Sequence, residues 1–189
     1  EDFMIFANEV VANDLDALGA GALFRVHEPP TAESVEELTE ALSALGLHAL
    51  KGKSLDPSNV QVLIDSAKGI EQKALVSSLV LRTLKKARYD AENIGHFGLG
   101  SGAYVHFTSP IRRYPDLVVQ RAVAGAFLGD EEVGCLDTED LQAVAELASA
   151  REQRAVDAER ATVALKKVEF MEPRLGETFP ARITGVTSF

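Results

Sequence analysis

Apolar residues recur at helical spacing through most of the chain, and the places where that recurrence breaks mark out its elements. In EDFMIFANEVVANDLDAL, residues 1–18, Phe3, Phe6, Ala7, Val10 and Val11 share a stripe, and Gly19 and Gly21 follow as stop signals. The spacing predicts an amphipathic helix. ALFRVHEPP, residues 22–30, is short and closed by two prolines, which reads as a strand or connector. Thr31 can cap a helix whose Val35, Leu38, Leu42 and Leu45 face a core, with Glu33, Glu36 and Glu37 on its solvated side and Gly46 at its exit. Asp56 followed by Pro57 starts another helix, continued by Val60, Leu63 and Ile64. A further helix is expected from about 71 to 88, with Val76, Val80, Leu84 and Ala87 on one stripe and Lys85, Lys86 and Arg88 in its last turn.

The period breaks at GHFGLGSGAYVHFTSPIRR, residues 95–113, where four glycines alternate with aromatic and small residues. This segment reads as a structured loop or short hairpin. Pro115 then opens a helix to about Leu128, and Asp137 or Thr138 opens a long one to about Met171, with Leu141, Val144, Ala145 and Ala148 on its buried face and Pro173 beyond its end. The expected fold class is therefore α+β, predominantly helical around a smaller sheet.

Composition narrows the function. With 46% apolar and 25% charged residues over 189 positions, the chain suits one sizeable globular domain, and no run approaches the roughly 18 apolar residues of a membrane span. A net charge of −10 argues against coating nucleic acid through bulk electrostatics. Positive residues nevertheless gather locally: Arg82, Lys85, Lys86 and Arg88 without an intervening acid, then Arg112, Arg113 and Arg121. The first group could complement a helix dipole or contact RNA phosphates. Cys135, the one cysteine, fits a small apolar position in a reduced, cytoplasmic setting. His27, His48, His96 and His106 are too scattered for a metal cluster, and GLGSG at 98–102 lacks the surroundings of a dinucleotide fingerprint. The start at Glu1 and the strand-like close, GETFPARITGVTSF, raise the expectation of a piece of a longer polypeptide.

Arg112 and Arg113 stand immediately before a helix start marked by Tyr114, Pro115 and Asp116. Free N–H groups, the helix dipole and a planar guanidinium fork together suit a phosphodiester. Pairing of one arginine with Asp116, simply to hold the loop, is the alternative that the sequence leaves open.

EDFMIFANEVVA, ALFRVHEPP, ARYDAENIGHFGLGSGAYVHFTSPIRRYPDL and RAVDAERATVALKKVEFM, in this order and at these intervals, resemble the ribonuclease II/R family. The resemblance spans nearly the whole chain. It implies the second half of the catalytic domain at 1–172 and the first strands of an OB-fold RNA-binding domain at 173–189. It further implies a monomeric, processive 3′-to-5′ exoribonuclease that hydrolyses single-stranded RNA to 5′-nucleoside monophosphates. The Mg²⁺ of such an enzyme is held by aspartates in an upstream half, so this segment alone would be inactive; a noncatalytic RNA-binding relative is the alternative. Matched residue by residue, Arg112 takes the place of the catalytic arginine on the scissile phosphate. Glu1 and Glu159 correspond to carboxylates near the terminal nucleotide, with Asp2 in place of a second glutamate and Ala161 and Thr162 departing from the usual Asp-Val. His106, Ser109, Arg113 and Tyr114 belong to the same signature and are candidate RNA contacts, and Tyr104, Phe107 and Tyr114 are candidate stacking platforms.

Overall fold

The computed structural model describes residues 1–47, 55–129 and 136–181. His48, Cys135 and residues 182–189 of the expected OB-fold opening lie outside the described residues. Among the described residues, six α-helices and two short strands follow in the order α1 (Asp2–Ala17), β1 (Phe24–Val26), α2 (Ala32–Ala44), α3 (Pro57–Ser66), α4 (Gly69–Thr83), β2 (Arg88–Asp90), α5 (Tyr114–Leu128) and α6 (Thr138–Met171). This is the helix-dominated α+β fold. Contacts divide the chain into two compact units at Ser149, inside α6, whereas the sequence suggests a domain boundary at 172.

Local signals explain most boundaries. Thr31 accepts a hydrogen bond from Ser34 N–H at the start of α2, and Asp56 forms a reciprocal capping box with Asn59 at the start of α3. Asp137 accepts the Asp140 N–H at 2.8 Å before α6. α4 ends at Thr83, short of the expected 88, and the basic residues after it do not form a last helical turn. Leu84 and the residues beyond turn extended because β2 pairs antiparallel with β1, Arg25 opposite Tyr89 and Val26 opposite Arg88. Lys85 and Arg88 both bind Glu28, the latter at 3.0 Å, and Arg88 also binds Asp90. Hydrogen bonds from Lys85 and Arg88 hold the Glu28 carboxyl below the usual carboxylate range. Those two cations are thus engaged in tying β2 to the end of β1.

The first unit contains two apolar clusters. One joins Ala12 and Leu15 of α1, Phe24 and Val26 of β1, Tyr89 of β2, Ala103 and Val105, Val118, Val119 and Ala122 of α5, and Leu141 and Ala145 of α6. The other packs Leu38 and Leu42 of α2, Leu63 of α3, and Val76 and Val80 of α4. On α1 the buried face is Asn8, Ala12 and Leu15, while Phe3, Phe6 and Val10 of the predicted stripe are exposed. Residues 8, 12 and 15 also have helical spacing, but a polar Asn at its head hides this face from a hydrophobicity count.

In the second unit, residues 150–171 of α6 run into a 3₁₀ turn at Glu172–Arg174, where Pro173 ends the helix as expected. Arg174 stacks over Phe170, 4.2 Å from the ring centroid. Among the described residues no helix is long and apolar enough to cross a membrane.

Candidate functional site

The segment from Tyr104 to Arg113 connects the sheet to α5. Its first part lies along β1: Arg25 N–H donates to Tyr104 C=O at 2.8 Å, and Phe24 bridges Val105. It then turns sharply. Arg112 and Arg113 N–H both donate to Ser109 C=O, at 3.3 and 3.2 Å, with Pro110 at the second position of the turn, where its fixed φ is favourable.

The two adjacent arginines are not equivalent. Arg113 Nη2 donates to Asp116 Oδ1 at 2.8 Å, and Nε lies 2.8 Å from Oδ2, an ion contact without hydrogen-bond alignment. Asp116 is fully buried in the first turn of α5, and its Oδ1 also accepts Ser109 N–H at 2.7 Å. One carboxylate thus holds the turn and neutralises one guanidinium. Arg112 is exposed, and none of the described side chains pairs with it. Arg113, as the N-cap, offers no side-chain acceptor to the first-turn N–H groups of α5. An uncommitted guanidinium beside an uncapped helix N-terminus is an arrangement that favours a phosphate. The pairing with Asp116 that the sequence left open falls on Arg113, and Arg112 has no side-chain partner among the described residues.

The other predicted residues divide between scaffold and surface. His106 is half-buried, with Nδ1 2.9 Å from the Tyr89 hydroxyl and its ring edge-on to Tyr89 and Tyr104. Burial, then the nearby Arg113 and Arg25 charges, push its pKa down to about 4. It is therefore neutral at pH 7. Tyr104 is buried and hydrogen-bonded to Asn8, and Phe107 packs on the core cluster, so both are built into the fold. Tyr114 is 52% exposed and remains available for stacking. Ser109 contributes its backbone to the turn. Glu1 is exposed at the N-cap of α1, its carbonyl accepting from Met4 and Ile5 N–H. Glu159 belongs to the second unit and is exposed on α6.

His106 makes stability pH-dependent in a defined window. An unfolded histidine titrates near 6.5 and the folded one near 4, so between these values the unfolded state binds more protons. The contribution of His106 to stability is full above about pH 6.5 and is lost as pH falls toward 4. Urea midpoints should fall between pH 7 and pH 5, and His106→Gln should reduce that fall; an identical pH dependence in the variant would reject this source.

Beside this segment, an open groove of about 630 Å³ is lined by His27, Pro29, Asn93, His96, Phe97 and Gly100 among others. His27 Nδ1 accepts Gly98 N–H at 2.8 Å, so its Nε2 carries the proton and donates to Lys85 C=O at 2.7 Å. A Cβ at position 98 would sit 2.6 Å from that Nδ1, which accounts for the second glycine of GHFGLG. None of the predicted site residues lines this groove. Among the described residues no three His, Cys, Asp or Glu side chains are placed to hold a metal ion, so these residues do not fit a magnesium site.

The residues that sequence reasoning passed over are Asn8 and Gln120. Asn8 Oδ1 accepts Phe107 N–H at 3.0 Å and Gln120 Nε2 donates to Phe107 C=O at 3.1 Å. The available signal was a polar residue on the 8, 12, 15 face of α1.

Residues 1–129 match the model of the RNB domain, a span that includes the whole arginine segment. The chain is 41% identical over its full length to ribonuclease R of Thermotoga maritima and 42% identical to that of Aquifex aeolicus, spanning 27% of each. It therefore covers about a quarter of the length of these curated relatives. A solved structure of Mycoplasma genitalium RNase R in complex with ribose-methylated single-stranded RNA superposes with a TM-score of 0.88 at 29% identity, over 99% of this chain and 30% of that one.

Proposed function

Because this chain belongs to the RNB domain family, we propose that it is the phosphate-engaging part of a hydrolytic exoribonuclease acting on single-stranded RNA from the 3′ end and releasing 5′-nucleoside monophosphates. The observation that carries this reading is the exposed guanidinium of Arg112, without a partner among the described residues and set beside Arg113, which is consumed by the buried Asp116. Arg112 binds the non-bridging oxygens of the scissile phosphate and stabilises the charge that grows there as the phosphodiester breaks. The first-turn N–H groups of α5 supply further positive potential, and Tyr114 supplies an aromatic face beside them. Glu1 orients the terminal nucleotide through its hydroxyls, and Glu159, on the second unit, is an RNA contact in its own right. His106 and Arg113 act on RNA only by shaping the loop.

Mg²⁺ is held by side chains outside this chain, and water activation belongs to that same part. On this reading the 1–189 segment alone binds RNA weakly and does not cleave it. The enzyme works in the cytoplasm as a monomer.

Digestion of 5′-labelled single-stranded RNA by the polypeptide carrying this chain, with and without Mg²⁺, tests the proposal on a denaturing gel. Progressive shortening with mononucleotide release only when Mg²⁺ is present is expected. Intact RNA that is nonetheless retained by the protein would reject hydrolysis in favour of a noncatalytic RNA-binding relative.

A further inference from the structure

We infer that Asn8 and Gln120 are positioning residues for Arg112, holding the backbone of Phe107 at its N–H and at its C=O; this rests on the reading of Arg112 as the phosphate-binding group. Asn8 is nearly fully buried on α1, 99 residues away in sequence from the peptide that it holds. Burying an amide is costly unless its donors and acceptors are met. Here Oδ1 accepts Phe107 N–H at 3.0 Å while Nδ2 donates to the Tyr104 hydroxyl at 2.9 Å, so both partners of this side chain lie on the segment leading to the arginines. An apolar residue would pack α1 equally well; the amide is required only by that segment. From α5, Gln120 Nε2 meets the carbonyl of the same residue at 3.1 Å.

Phe107 is thereby fixed at both its N–H and its C=O, and two residues later Ser109 N–H is fixed by Asp116. Arg112 has no side-chain partner among the described residues, so its placement depends on its backbone. The backbone that leads into its turn is anchored by three side chains from α1 and α5. Releasing the Phe107 anchor lets the turn drift, and a displacement of about 1 Å in a group that meets a transition state can cost on the order of 100-fold in rate.

The test uses steady-state kinetics on single-stranded RNA in the full enzyme carrying this chain. Gln120→Leu keeps size and helix propensity but leaves the Phe107 carbonyl without its donor, and Asn8→Ala removes the other anchor. Each should lower kcat by roughly 10- to 100-fold with KM changed by no more than about twofold. Asn8→Asp, which still accepts Phe107 N–H and can accept the Tyr104 hydroxyl proton, should recover part of the loss. On an Arg112→Ala background neither Gln120→Leu nor Asn8→Ala should cost more, because the group through which they act is gone. Losses that multiply with Arg112→Ala, or a folded Gln120→Leu with wild-type kcat, overturn the clamp. If Arg112→Ala itself turns over like wild type, the reading of Arg112 fails and the clamp falls with it; if Arg112→Ala collapses while Gln120→Leu is silent, only the clamp is lost. Should Asn8→Ala not fold, the half-buried Gln120 variant decides alone.

Discussion

Arg112→Ala is expected to lower kcat on single-stranded RNA by about 10³-fold or more, the lower end of what arginines contribute in phosphoryl-transfer sites, while RNA binding weakens only modestly. The asymmetry follows from where charge develops. In the ground state the phosphate is already solvated and one cation among several changes its binding little; in the transition state a planar guanidinium meets oxygens that carry more charge. The side chain is exposed and has no partner among the described residues, so its removal should move folding stability by no more than about 0.5 kcal/mol. Arg112→Lys keeps the charge but not the fork, and should restore only part of the rate. Single-turnover cleavage beside filter binding separates the two effects. Equal losses of rate and affinity would make Arg112 a binding residue, and an unchanged rate would remove it from the mechanism.

The largest effect on stability should come from Asp116→Ala. The carboxylate is fully buried, accepts Ser109 N–H, and neutralises an Arg113 side chain that is only 25% exposed. Removing one partner of such a pair leaves an uncompensated charge and an orphaned backbone donor, a loss of about 3–5 kcal/mol. Urea unfolding at pH 7 measures it. Replacing both partners together, with Arg113→Met and Asp116→Leu, should recover much of that stability, since burying a pair costs nearly as much desolvation as its attraction returns. It should not recover RNA cleavage, because the turn carrying Arg112 loses the acceptor for Ser109 N–H. A single-variant loss below about 1 kcal/mol would show that Asp116 is hydrated in solution and does not secure the turn.

Much of the helical framework was legible because its signals are local. The Thr31 cap, the Asp56 cap with Pro57 behind it, the Pro115 start and the Pro173 stop each act within a few residues, and all four appear where the sequence puts them. The buried faces of α2 and α6, Leu38 with Leu42 and Leu141 with Ala145, followed from period alone. Errors arose where a partner distant in sequence decided the outcome. α4 stops at Thr83 because residues 88–90 are taken by β1, and Lys85 and Arg88 pair with Glu28 some sixty residues upstream. α1 buries Asn8 in preference to Phe3 and Phe6 because its hydrogen-bonding partners are Tyr104 and Phe107.

The same division holds at the site. The sequence by itself determined the family, the α+β class, the arginine pair before a helix start and the phosphate chemistry that such a pair suits, all of which depend on residue type and short spacing. Only the tertiary structure paired Arg113 with Asp116, placed His106 and Tyr104 in the scaffold, and brought Asn8 and Gln120 to the backbone of Phe107. Those assignments depend on which polar groups are buried together, and burial is a property of packing between distant segments, which no local pattern encodes.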